Sequence, residues 1–443
     1  MTKSVSIYTC LFGVLTGLLF AVTPGTVLVI AVFFATVLFI RRRIPEEERD
    51  FVTWIIITAF VVRIALAVIM HAHSYLAGFD GFISGDERLY TIKGWDLLLE
   101  WRGDLYGAFI KEYKHGINPF TYILTVFYGI SGFNAVAAKF INCYIGALTA
   151  FAVYDMTSVL FGRHAGRLSL VIVAFWPSMV RWSASALKDP LIILLIVLII
   201  GLFIRIIRKR KAVMNTLIAV AAILILGLLQ RSLLAVMLIC LAGALIFSFI
   251  NIRIRGAKEF TAVFFAITIA SVIMAVALSF TFKGKTINFL KDCVKHQISV
   301  AVSDNAGYTI FRPDLGRDLD KGYIRLSDIF PAYLKGFAYF LLSPFPWAIR
   351  SLSQLAAYPQ VILWYFSLLL FCYGFAKGGG VAAKETAIIG FFILLFVSIN
   401  SLAEGNIGAA FRHRDYISPL VFVYVSYALA VFWRAPRHDR IKV

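Results

Sequence analysis

Two carboxylates stand side by side at Asp86-Glu87, and a third, Asp189, opens an apolar run in Leu187-Lys188-Asp189-Pro190. Such carboxylates can take a proton from an attacking hydroxyl, or bind a divalent cation that Asp86 and Asp189 could share. Each also has a plain structural alternative. Asp86 can cap the helix that follows it, and Asp before Pro is an ordinary helix start, with the acid at the N-cap. A further segment, Glu404-Gly405-Asn406 through Arg412-His413-Arg414-Asp415, brings two arginines together. The planar guanidinium fork of Arg412 or Arg414 suits a phosphate, whether of a substrate or of a phospholipid headgroup. Lys188 and Arg231 complete the cations expected to bind a substrate's phosphate. His71 and His73 are two apart and do not face one another on a helix, so no metal site is read there. Arg63 lies deep in an apolar run, where a charge needs a partner, and a structural ion pair is expected.

These residues sit in a chain of 443 residues that is 60% hydrophobic and 15% charged, with a mean hydropathy of +0.85. A soluble domain carries roughly a quarter charged residues, and a disordered chain lacks the aromatics that make up 15% of this one. The composition points to an all-α, polytopic integral membrane protein. Apolar runs at 5–22, 26–40, 51–71, 134–160, 166–183, 190–207, 212–229, 232–250, 260–281, 359–376, 384–402 and 416–434 predict twelve spans. The first lacks a small-residue cleavage site and reads as a retained span. Two shorter runs, 118–131 and 333–348, are broken by polar residues or proline and are expected to be interfacial or re-entrant helices.

The net charge of +19 would suggest nucleic acid in a soluble protein. Here the basic clusters, such as Arg41-Arg42-Arg43 and Arg208-Lys209-Arg210-Lys211, fall between apolar runs. The positive-inside rule and anionic membrane lipids account for that excess, so no nucleic-acid partner is expected. Twelve spans with both termini inside place every strong cluster on the cytoplasmic side. Loops 72–133 and 282–358 then lie outside, with the short connections 183–189, 230–231 and 404–416. Within the first loop, Leu89, Ile92, Trp95 and Leu98 recur at helical steps, as in a helix lying in the interface plane. Ser343-Pro344-Phe345-Pro346-Trp347 in the second cannot be mid-helix. The five cysteines show neither metal spacing nor a disulfide framework.

Read in order, the outer acids Asp86-Glu87 are followed by Asn118-Pro119-Phe120-Thr121-Tyr122, Gly132-Phe133, a long run ending Leu160-Phe161-Gly162-Arg163, a central Pro177 and Lys188-Asp189-Pro190-Leu191. This order resembles the GT-C superfamily of polyprenyl-phosphate-sugar-dependent glycosyltransferases, which includes the protein O-mannosyltransferases and the lipid A aminoarabinose transferase. The resemblance implies a GT-C-like catalytic module over 51–210, preceded by an added helical hairpin at 1–50 and followed by a C-terminal transmembrane region at 211–443. It also implies that Asp86 is the catalytic carboxylate, with Glu87 beside it and Asp189 as the second outer acid. Two extra spans before the module and Asn118 ahead of Pro119 depart from the pattern.

The function implied is transfer of a sugar from a polyprenyl-phosphate carrier to a glycolipid, polysaccharide or protein, at the periplasmic face of the bacterial inner membrane. No cofactor is required, and a divalent metal ion is optional. A polysaccharide polymerase or ligase using a diphosphate-linked carrier is the neighbouring alternative. A transporter or flippase of lipid-linked glycans is the rival from another class. Transporters place charge at the bilayer midplane on broken, repeated spans, whereas only Arg63 is deep here and no repeat is seen.

Overall fold

The computed structural model describes residues 24–104, 118–249, 256–266, 288–295, 309–310, 326–349 and 352–434, with residues 268 and 297. The regular elements among them are helices: α1 Pro24–Arg43, α2 Glu46–Leu76, α3 Gly85–Arg102, α4 Pro119–Ser131, α5 Ala135–Phe161, α6 Arg163–Phe175, α7 Pro177–Ser183, α8 Asp189–Ile207, α9 Ala212–Leu229, α10 Arg231–Phe249, α11 Leu326–Leu342, α12 Leu352–Val381, α13 Ala383–Ala403, α14 Ile407–His413 and α15 Ser418–Arg434, with two short 3₁₀ turns. Seven are long and apolar enough to cross a bilayer, or eight if the pair of α14 with its 3₁₀ turn and α15, bent by 61°, is one span. The chain is an all-α, multi-pass membrane protein.

The expected count of twelve spans is not reached among the described residues, and each shortfall has a location. The run 5–22 and most of 260–281 lie outside the described residues. The run 166–183 is cut into α6 and α7 at Pro177, and the run 232–250 extends past the described residues of α10.

Two compact units make up the chain. One is formed by described residues within 1–154, 170–198 and 220–231, and the other within 155–169, 199–219 and 232–443.

In the first unit, Ser84 is the N-cap of α3 and accepts from the Glu87 backbone N–H at 3.2 Å, so Asp86 is not the cap. Of the stripe expected to lie in the interface, Leu89 is exposed, and the later residues pack toward α4 and the turn after it. Trp95 rests on Phe133 with ring centroids 5.2 Å apart, and Leu98 is buried. Gly94 permits that approach, and its carbonyl accepts from Thr125 Oγ1 at 3.0 Å.

Arg63, on α2, has no ion-pair partner among the described residues, which corrects the expectation. Its fully buried guanidinium donates to Ala174 O at 2.7 Å, Ala59 O at 3.0 Å and Ser183 Oγ at 2.9 Å, with Val173 O at 3.5 Å. The cause is Pro177. A proline has no N–H, so the carbonyl of Val173 four residues earlier loses its helical donor and the helix breaks. An arginine inserted from α2 supplies donors to the exposed carbonyls. Gly146 on α5 makes room for it, because a Cβ there would stand 2.7 Å from Arg63 Nε. Replacing Arg63 by leucine should therefore leave several buried carbonyls unsatisfied, each costing about 1–3 kcal/mol. A drop in the thermal unfolding midpoint in detergent is the expected result, with lysine restoring only part of it.

In the second unit, α11 ends before Pro344 and Pro346, which cannot donate to the preceding carbonyls. Three side chains satisfy them instead. Arg414 Nε donates to Phe340 O at 3.1 Å and its Nη2 to Ser343 O; Trp364 Nε1 donates to Leu341 O at 2.9 Å; and Tyr365 Oη donates to Leu342 O at 2.5 Å. A cation at this end also suits the helix dipole.

Candidate functional site

The loop between α2 and α3 is shaped by three left-handed residues, Gly78, Asp80 and Gly81. At Gly81 a side chain is excluded twice over. Its φ is +80°, and a Cβ would run into the His71 imidazole. The Gly81 carbonyl accepts from Lys139 Nζ at 2.8 Å and pairs with His71 Nδ1 at 2.9 Å. A carbonyl can only accept, so His71 carries its proton on Nδ1.

Lys139 Nζ also lies 3.2 Å from Glu87 Oε1, with both side chains fully buried. The same carboxylate accepts from the backbone N–H of Ala186 at 3.0 Å through Oε1 and of Ile83 at 2.8 Å through Oε2. One turn along α5, Asn142 Nδ2 donates to the carbonyls of Ser185 and Leu187, both at 2.6 Å. Lys139 and Asn142 are three apart and so share a face. Together with Glu87 they fasten the segment that precedes Asp86 and the segment that precedes Asp189 onto one helix, α5.

Glu87 was expected beside Asp86 as a catalytic acid. Glu87 is wholly buried, and both its oxygens are engaged in holding the two loops. Asp86, one residue earlier, is exposed in the first turn of α3. Asp189 is the first residue of α8 and is 2% exposed, and Lys188 before it is half-buried. A cavity of about 650 Å³ adjoins the start of α3, lined by His73, Asp80, Ser84, Gly85 and Arg88 among apolar groups. Arg88 and Asp80 approach to 3.6 Å on its rim.

A metal site fits poorly. With Glu87 held by Lys139, Asp86 and Asp189 are left as the two carboxylates, and among the described residues no three His, Cys, Asp or Glu side chains gather to hold an ion.

The second unit holds Arg412 and Arg414. Arg414, expected to bind a phosphate, is 3% exposed and donates to the carbonyls at the end of α11. Arg412 is half-buried on α14. Arg231, in the first unit, is exposed at the first residue of α10. Glu404 takes a hydrogen bond from His413 Nδ1 at 2.9 Å and faces the backbone N–H groups of Gly405 and Asn406. Burial acts to raise its carboxyl, but His413 and those N–H groups more than offset this and hold it below the ordinary carboxylate value. A lysine at Arg414 would keep the charge and lose the fork that reaches two carbonyls. Arg414→Lys should therefore lower the unfolding midpoint, and circular dichroism on heating checks it.

Sequence reasoning missed Lys139 and Asn142. The signal was present, because a lysine and an asparagine three apart within the apolar run 134–160 mark a polar face that must find partners.

No curated protein matches the chain. The chain covers 51% of an Archaeoglobus fulgidus oligosaccharyltransferase in its apo form, with 88% of this chain aligned, at 13% identity and a TM-score of 0.47. The archaeal oligosaccharyltransferase AglB from Archaeoglobus fulgidus, in complex with an inhibitory peptide and a dolichol-phosphate, aligns with the same coverage and identity at a TM-score of 0.48. The chain thus spans about half the length of these proteins, at a similarity too low to carry an argument. Residues 119–279 match the family described as dolichyl-phosphate-mannose-protein mannosyltransferase, and this stretch contains Lys139, Asn142, Lys188 and Asp189. The matched stretch overlaps the module 51–210 whose order of residues resembles the GT-C glycosyltransferases.

Proposed function

We propose that this protein is a membrane glycosyltransferase that moves a sugar from a polyprenyl-phosphate carrier to an acceptor hydroxyl at the periplasmic face of a bacterial inner membrane. The observation that carries the reading is the buried tie of Glu87, Lys139 and Asn142, which fixes the segments bearing Asp86 and Lys188-Asp189 onto one helix. The family match over residues 119–279 supports the reaction class.

In the proposed reaction the acceptor oxygen forms a bond to the anomeric carbon as the bond to the carrier's phosphate oxygen breaks. Asp86 is exposed and takes the acceptor's proton. The leaving phosphate gains negative charge, and Lys188 is the cation next to Asp189 that would offset it. Arg231, in the same unit, is the further cation proposed for the carrier's phosphate. Asp189, mostly buried, orients this end of α8. The acceptor is a glycolipid, polysaccharide or protein, and no metal is required. Full-length protein in liposomes with a radiolabelled polyprenyl-phosphate sugar and a cell-envelope extract tests this. Appearance of label in acceptor material is expected, and label that stays on the carrier, with the protein folded, overturns it.

A further inference from the structure

The α1–α2 hairpin carries a feature that sugar transfer does not use. A cavity of about 330 Å³ opens at its turn, lined by Leu38, Arg41, Arg42 and Arg49. No carboxylate lines it, although acids stand near. Asp50 pairs with Arg41 at 2.7 Å, and Glu46, Glu47 and Glu48 occupy the first turn of α2, where the helix dipole favours them. Arg49 is oriented by its Nε, which donates to Ile44 O at 3.0 Å. Along α1 the exposed residues Leu28, Val32, Ala35, Leu38 and Arg42 recur at three- and four-residue steps and form one stripe. From Leu28 to Leu38 that stripe rises about 15 Å, the depth of one leaflet of the hydrocarbon core.

An apolar stripe one leaflet long that ends in a cavity walled by arginines has the shape and chemistry of a glycerophospholipid. We propose that the cavity binds the phosphate of an anionic phospholipid whose acyl chain lies along this stripe of α1. Arginine is suited to this because its weakly hydrated planar fork meets phosphate oxygens two at a time. Arg43 supplies an internal control. It stacks over the Phe39 ring at 4.2 Å and does not line the cavity.

Native mass spectrometry of the full chain released from nanodiscs of phosphatidylglycerol or of phosphatidylcholine tests the proposal. Retention of one phosphatidylglycerol, and not of phosphatidylcholine, is expected. The Arg42→Gln/Arg49→Gln variant should reduce that retention by roughly tenfold or more, while Arg43→Gln leaves it unchanged. If the double variant fails to fold, Arg42→Gln alone carries the same expectation, since Arg42 is exposed. Equal retention of both lipids overturns the proposal. So does an equal loss in Arg43→Gln, which would mark diffuse attraction to the leaflet. Displacement of the lipid by inorganic phosphate would mark a free-anion site and overturn the acyl-chain placement.

Discussion

Asp86→Asn is expected to lower sugar transfer by roughly 10²–10⁴-fold, the usual loss when a general base is removed. Asparagine keeps the shape of the side chain and cannot take the acceptor's proton. The fold should barely respond. Asp86 is exposed, and Ser84 and Glu87 secure the start of α3 without it. A carboxylate in the first turn of a helix contributes only about 0.3–1 kcal/mol through the dipole. Turnover measured alongside the unfolding midpoint separates the two effects. Near wild-type turnover in a folded Asp86→Asn protein would remove Asp86 from the reaction, and with it the role proposed for the outer loop.

Breaking the Glu87–Lys139 pair should produce a large stability loss. Both side chains are fully buried at 3.2 Å. Glu87→Gln leaves an ammonium without its counter-charge, and Lys139→Met leaves a carboxylate in the same state. Each is expected to cost about 3–5 kcal/mol. The double variant removes both charges, so its loss should fall well short of the sum, because contacting residues couple. Glutamine can still accept from the Ala186 or Ile83 N–H, which should let the double variant fold. Unfolding midpoints of the three proteins form the measurement. Simple additivity would mean that the pair is not coupled and that the loops are held by the backbone bonds alone.

The two experiments read different properties of adjacent residues. Asp86 and Glu87 look equivalent in a sequence, yet one residue is a rotation of about 100° on a helix. That rotation sends Asp86 to solvent and Glu87 into the interior, so activity should track the first and stability the second. The same contrast divides Arg412 and Arg414. Two residues apart, they were expected to act together on a phosphate, but Arg414 is engaged by the Phe340 and Ser343 carbonyls at the end of α11.

The sequence by itself determined the solvent of this protein and the order of its parts. Composition and run length decide whether a chain enters a bilayer, and both are local sums that need no knowledge of packing. The acids at 86 and 189 and the likeness to GT-C enzymes were legible for the same reason, since each is a residue type at a position, whereas the run 166–183, which Pro177 breaks, was read as one continuous span. Only the tertiary structure decided what buried polar groups do. Arg63 was expected in an ion pair and instead satisfies carbonyls near Pro177; Lys139 drew no notice in its apolar run and yet holds Glu87. In a low-dielectric interior every polar group must find a partner, and the sequence states that demand without saying which partner meets it. The partner is set by which helices lie side by side, a long-range fact that is absent from residue spacing.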